Sequence, residues 1–339
     1  MSAILVGNDL VHYEILGRGR PIVLVHGWLG SWRYWIPTMQ QLHMRYRVYA
    51  LDLFGHGDSG NNPDRYSVPY QAEMLKEFMK QLGMERAVFV GHGLGAMVVA
   101  EFAFKHQKQR VHRALLVSTP LFDIGGLPER TPRRVSRSAS KVDPGDPDRT
   151  IPSSSLADTI PSAGMIRAAI LERHAVGSNR NGDKIPSPIA RDGADDDTTH
   201  NPLANQLRTN DLMTLLERSF SKTEVEYSKL RPDVEITDAR VLETTVKEYD
   251  AGKMLDTVQQ LTMPTVLIHG QEDRLLGVPD QPVWDYVTQP DSTIEILIPG
   301  VGHFPMLELE RFGRLVNDFL ETPDVTTLEI RERWRRRSR

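Results

Sequence analysis

Along the first third of the chain the apolar residues come in short runs, each closed by a polar residue or glycine. Pro21-Ile22-Val23-Leu24-Val25 ends at His26-Gly27, and Tyr46-Arg47-Val48-Tyr49-Ala50-Leu51 ends at Asp52. Ala87-Val88-Phe89-Val90 and Ala114-Leu115-Leu116-Val117 repeat the pattern. Short apolar runs bounded by such residues read as buried strands. Between them the period changes: Met74, Leu75, Phe78, Met79 and Leu82 recur at helical spacing. Strand and helix in alternation predict a mostly parallel sheet covered by helices. The same signals return late in the chain. They lie in Pro264-Thr265-Val266-Leu267-Ile268, in Thr293-Ile294-Glu295-Ile296-Leu297-Ile298, and in a closing amphipathic helix marked by Leu309, Phe312, Leu315, Val316 and Phe319.

Between about Ile124 and Gln206 the pattern fails. Stretches such as TPRRVSRSASKVDPGDPDR and RDGADDDTTHNP hold too little apolar surface to offset ordering entropy. Residues of about 128–205 are therefore expected to be largely low-complexity and mobile. Within them, Met165, Ile166, Ala169 and Ile170 mark one candidate helix face over Gly164–Val176. Leu207, Leu212, Leu215, Leu216 and Phe220 look helical again within Asn205–Leu230. The expected organisation is a core of residues 1–123 and 255–320, a cap inserted at 124–254, and a basic tail at 321–339 ending in RERWRRRSR.

Composition narrows the class. The 339 residues are 40% hydrophobic and 25% charged, with a net charge of −4. That is ordinary for a globular chain, and it supplies no global field for nucleic acid or an anionic membrane. There are no cysteines. Disulfides, thiolate metal sites and a cysteine nucleophile are excluded, and a reducing compartment fits. Ala3-Ile4-Leu5-Val6 is too short for a signal-peptide core, and no run approaches the roughly 18 apolar residues of a membrane span. A cytoplasmic location is expected.

Four motifs follow four of the predicted strands. They are His26-Gly27-Trp28, Gly91-His92-Gly93-Leu94-Gly95, Asp273 in HGQEDRLLG, and His303 in GVGHFPMLE. In open parallel sheets the ligand crevice lies at the strands' carboxyl ends, so these motifs converge there. A serine mechanism needs a base for the hydroxyl proton and an acid that fixes the base's tautomer. His303 and Asp273 fit those roles, with Asp123 as a fallback acid. The oxyanion donors would be the backbone N–H groups of Trp28 and Leu94, the latter at the positive end of a helix. His26, Gly27, Trp28 and His92 are expected around the substrate pocket, and His92 is also read as structural. His26, His56 and His269 near strand ends do not make a metal motif, so neither metal nor cofactor is expected.

These stretches resemble the α/β-hydrolase fold superfamily, in its serine esterase and lipase-like branch. The supporting residues are HGWLGS at 26–31, DLFGHGDSG at 52–60, the turn at 91–95, PTVLIHGQEDR at 264–274 and GHFPMLE at 302–308. The resemblance implies an α/β-hydrolase fold with a twisted, mostly parallel sheet, a cap at the position of the insertion, and the chain order nucleophile, acid, histidine. It departs at one place: the nucleophile elbow G-x-S-x-G carries Gly93 where the family has serine. Glycine has no oxygen to attack with, so the acyl-enzyme route is expected to be absent. Ser31, Ser59, Ser118 and Thr119 are not expected to substitute.

Three readings stand open. The chain is a non-catalytic or strongly impaired homologue, a pseudoenzyme candidate binding a small hydrophobic or ester-like ligand. Or it is a hydrolase or lyase using His303 and Asp273 as a general base on water or substrate. Or it is an ordinary ester hydrolase whose serine is replaced in this copy.

Overall fold

The apolar runs of the sequence all take places in one sheet. The computed structural model describes residues 2–106, 109–127 and 201–328. Its strands are β1 (Ser2–Val6), β2 (Asp9–Gly17), β3 (Arg20–Val25), β4 (Tyr46–Leu51), β5 (Ala87–His92), β6 (Val111–Val117), β7 (Thr265–Gly270) and β8 (Thr293–Ile298). They form one eight-stranded sheet in the order β1-β2-β4-β3-β5-β6-β7-β8. The six strands from β4 to β8 in that order are parallel, as the alternation predicts. The hairpin β1–β2 joins antiparallel at one edge. The sequence reading did not assign these two strands, because their exposed apolar residues Leu5, Leu10, Ile15 and Leu16 blur the alternation.

Helices α1 (Ile36–Leu42), α2 (Val68–Gln81) and α3 (Leu94–His106) cover the sheet in the first half. Met74, Leu75, Phe78 and Met79 of α2 are buried, so the helical period read from sequence is the packing face. Ser67 caps α2 by accepting from the Tyr70 amide, and Pro69 sits in the first turn, where its missing N–H costs nothing. Every residue from Leu94 to Ala103 of α3 is buried. A helix apolar all round must be covered all round, and α3 packs on β5, β6 and α2.

After the insertion come α4 (Pro202–Leu207), α5 (Leu212–Ser219), α6 (Val225–Ile236), α7 (Arg240–Glu248) and α8 (Ala251–Gln259), then α9 (Gln281–Val287), α10 (Pro305–Glu308) and α11 (Phe312–Glu321). Four expectations change. The helical stretch expected over 205–230 is broken into α4, α5 and the start of α6: Arg208 takes a left-handed conformation at φ 59°, and Asp211 caps the next helix. Residues 202–205, expected to be mobile, open α4. The expected boundary at 254/255 cuts through α8, which packs on α3 and α9 and so belongs to the sheet's own helical layer. The expected tail from 321 begins inside α11, and a 3-10 turn at Val325–Thr327 continues onto β8 with Val325 and Leu328 buried. The candidate helix at 164–176, the expected mobile residues 128–200 and the basic end 329–339 lie outside the described residues.

The approach of α3 to the sheet depends on glycine. A Cβ on Gly91 would sit 2.4 Å from the Gly95 carbonyl oxygen, and one on Gly95 would sit 2.4 Å from the carbonyl oxygens of both Val25 and His26. Backbone cannot step aside as a side chain can. Gly95→Ala is therefore expected to cost about 3 kcal/mol or more by urea denaturation. Gly83→Ala, at a positive φ with nothing within 4 Å, is expected to cost only about 1–2 kcal/mol. A smaller loss at Gly95 than at Gly83 would contradict the packing account.

Candidate active site

At the end of β7 the chain turns sharply and presents Asp273 to the loop after β8. Asp273 Oδ1 accepts from the amides of Leu275 (2.8 Å) and Leu276 (3.0 Å). Its Oδ2 lies 2.8 Å from His303 Nδ1. Burial opposes ionisation of Asp273, but the neighbouring His303 charge and these hydrogen bonds prevail and hold the carboxyl down at about 2. An ionised carboxylate only accepts, so Nδ1 carries a hydrogen, and in the neutral ring Nε2 holds the lone pair that faces a substrate or water.

Three side chains fix the backbone around His303. Its carbonyl accepts from His92 Nε2–H at 2.9 Å and from the Ser118 hydroxyl at 2.9 Å. The Glu308 carboxylate accepts from the Gly302 amide at 2.7 Å and the Phe304 amide at 3.0 Å, one on each side of the histidine. Burial pushes the Glu308 carboxyl up while the two amides pull it back. Sequence reasoning assigned no role to Glu308, although it closes the motif GHFPMLE. It weighed Ser118 only as a substitute hydroxyl and missed its hold on the His303 carbonyl, which nothing but its place after β6 marks.

Gly93 sits at φ +52°, a left-handed conformation that strains any residue with a Cβ. Its N–H donates to the Val117 carbonyl at 2.9 Å, and its own carbonyl accepts from the amides of Ala96 and Met97. It therefore caps α3. A Cβ at this position would point toward Gly27 and Trp28, 3.6 Å from Gly27 Cα and 3.3 Å from the Trp28 ring. Among the described residues, the amides of Trp28 and Leu94 donate to no other protein group. Three of the four hydroxyls considered as substitutes are engaged elsewhere. Ser31 donates to Asp233 at 2.6 Å, Ser59 to the Asp52 carbonyl at 2.8 Å, and Ser118 to the His303 carbonyl. Thr119 is fully buried. The fallback acid Asp123 is exposed and caps its own turn through the Gly125 amide.

Two residues expected around the pocket are internal instead. His92 is 1% exposed, with Nδ1 accepting from the Tyr34 hydroxyl (2.9 Å) and Nε2 donating to the His303 carbonyl. The Tyr34 oxygen accepts in turn from the Gly27 amide at 2.6 Å. Burial first, and His303 next, hold His92 well below the ordinary imidazole range, so it stays neutral and can serve both partners. His26 is fully buried, with Nδ1 donating to the Gly27 carbonyl and Nε2 accepting from the Leu53 amide. Neither ring has a nitrogen left for a ligand. His56 packs on His26 and His269 on Trp284, well inside the protein. Among the described residues the donor group that comes together is His12, Asp52 and Asp58. There Asp52 Oδ2 already takes the His12 ring N–H and the Asp58 amide. A cavity of about 380 Å³ reaches His303 from the side of loop 299–303, between Phe220 and Glu308, and is rich in carboxylates.

The Asp273 pair has a sign in pH. The carboxyl is depressed from 3.8 to about 2, so its stabilisation is fully present above 3.8 and lost as pH falls through about 2. Acid unfolding followed by circular dichroism should therefore steepen between those values, and Asp273→Asn should flatten that part of the curve. An unchanged curve would contradict an ionised, hydrogen-bonded Asp273.

A family model described as the alpha/beta hydrolase fold matches residues 20–308. The chain is 36% identical over 134 residues to the bifunctional epoxide hydrolase 2 of Rattus norvegicus, covering 38% of this chain and 23% of that protein. It is 33% identical over 103 residues to the soluble epoxide hydrolase of a Corynebacterium strain, covering 30% of this chain and 36% of that one. The chain thus spans well under two thirds of these relatives. Among solved structures it resembles a hydrolase from Pseudomonas aeruginosa, with TM-score 0.60 and 17% identity over 95% of this chain and 98% of that one. It also resembles a thermophilic esterase from Thermogutta terrifontis, with TM-score 0.59 and 18% identity over 94% and 98%. Among the described residues no helix is long and apolar enough to cross a membrane. With the parallel sheet and the family match over most of its length, the chain belongs to the α/β-hydrolase fold family.

Proposed function

We propose that this chain is a strongly impaired member of its family, which binds a small hydrophobic, ester-like ligand and forms no acyl-enzyme. The observation that carries this reading is Gly93 itself. It caps α3 at φ +52°, beside the Trp28 and Leu94 amides, which among the described residues donate to no protein group, and it has no hydroxyl to use them. Loss of a triad nucleophile typically costs about a million-fold in turnover, while an oxyanion hole and binding alone can retain roughly a thousand-fold over water. Relatives named as epoxide hydrolases and neighbours named as hydrolase or esterase support a small neutral electrophile as the ligand. The cysteine-free composition supports a reducing compartment.

A second reading has its own observation. The Asp273 hydrogen bond places the hydrogen of a neutral His303 ring on Nδ1, so that Nε2 carries the lone pair a general base acting on water requires. The residual activity of the chain would then run through His303 without a covalent intermediate.

Gly93→Ser separates these readings. The new hydroxyl would point toward the oxyanion loop, with the Trp28 ring giving way by a few tenths of an ångström. Ester hydrolysis and labelling by a fluorophosphonate should appear, at a stability cost of roughly 1–3 kcal/mol for serine at this φ. Adding His303→Ala should abolish both. The unaltered chain should take no label. Label on Ser31, Ser59 or Ser118 of the unaltered chain would overturn the proposal. Ester turnover by the unaltered chain that stops in His303→Ala would replace it with the water reading.

A further inference from the structure

The parallel strands bring their carboxyl ends to the candidate active site, and their amino ends gather cations at the opposite edge. Arg20 opens β3 level with Tyr46, which opens β4. Arg86 immediately precedes β5, and His112 and Arg113 lie at the start of β6, with Arg113 level with Val88. A cavity of about 220 Å³ opens between these residues, with an apolar floor that includes Ile22 and Leu320.

Among the described residues, Arg113 and Arg86 are satisfied as donors by carbonyls and not neutralised by a carboxylate. Arg113 donates to the carbonyls of Phe319 (2.8 Å), Thr322 (2.6 Å) and Pro323 (3.4 Å). Arg86 donates to the Val111 carbonyl at 3.3 Å. The carboxylate at the cavity is Glu321, 3.7 Å from Arg20 and also bound by the Tyr46 hydroxyl. Among the described residues three guanidinium charges thus face one carboxylate, which leaves two positive charges over an apolar floor. Their mutual repulsion shows in His112, which burial and then Arg86, Arg113 and Arg20 hold below the ordinary imidazole range. In Arg113, burial and then Arg20 act in the same direction. A doubly charged oxyanion would offset that repulsion, and guanidinium forks match its geometry.

We propose that this cavity binds the dianionic phosphate of a small organic phosphate monoester, with Arg20 and Arg86 on the phosphate and the organic group against Ile22 and Leu320. The site is independent of the active-site reading, because it lies at the other end of the strands.

The test is calorimetric titration of the full chain with phenyl phosphate at fixed ionic strength, with phenol and sulfate as controls. Phenyl phosphate should bind saturably, one per chain, and phenol should not. Arg86→Ala should weaken binding at least tenfold, and Arg20→Ala with Arg86→Ala should abolish it. Arg113 is left intact because it ties down the end of α11. Arg86→Lys, which keeps the charge and loses the fork, should fall between. Gly93→Ser should leave phenyl phosphate binding by the folded chain unchanged. Sedimentation with phosphatidic acid vesicles distinguishes a lipid phosphate from a free ester. Vesicle binding without phenyl phosphate binding, lost in the double variant, assigns the site to a lipid phosphate monoester. No saturable binding of either probe, or equal binding by the folded double variant, overturns the proposal.

Discussion

Much of the candidate site hangs on one buried chain of hydrogen bonds. It runs from the Gly27 amide to the Tyr34 hydroxyl, from Tyr34 to His92 Nδ1, and from His92 Nε2–H to the His303 carbonyl. Gly27 lies beside the Trp28 amide, and His303 pairs with Asp273, so this chain ties the loop after β3 to the loop after β8. Its direction is fixed. The Gly27 amide only donates, so the Tyr34 hydrogen must go to His92, and His92 must hold its own hydrogen on Nε2. Protonating His92 would leave Tyr34 without an acceptor, and burial opposes that charge. Each link left unmade would strand a buried polar group at about 1–3 kcal/mol.

The sheet explains why so few residues are enough. Parallel strands deliver Gly27, Gly93, Asp273 and His303 to one edge, and close packing of α3 through Gly91 and Gly95 holds the elbow against the end of β3. Asp273 and Glu308 then fix the one residue that has to be aimed. Asp273 sets the tautomer and orientation of the His303 ring, and Glu308 sets the backbone that carries it. Glycine at the elbow holds φ +52° without the strain that a Cβ would bring.

Much of this was legible in the sequence, for identifiable reasons. The central strands were, because burial on both faces leaves unbroken apolar runs. The edge hairpin β1–β2 was not, because an edge strand with exposed Leu5 and Leu10 has no clean alternation. Among the site residues, those in glycine-bounded motifs after strands stood out, and the structure brings Asp273 and His303 within hydrogen-bonding distance. His26 and His92 stood out for the same reason, yet both rings are consumed inside the scaffold. Adjacency in sequence does not say which way a ring turns. Tyr34 and Ser118 carry no local signature, since their partners lie 58 and 185 positions away.

The account rests on the Asp273–His303 pair staying assembled although glycine holds the elbow position. The most direct measurement is the proton NMR signal of the His303 Nδ1–H in the unaltered chain. A hydrogen bond to a buried, ionised carboxylate shifts such a proton strongly downfield and protects it from exchange. The account predicts that signal at neutral pH, its loss in Asp273→Asn, and its persistence in Gly93→Ser. A spectrum of the folded, unaltered chain without it would show that the pair is not held together, and the site would lose its claim to either binding or residual chemistry through His303.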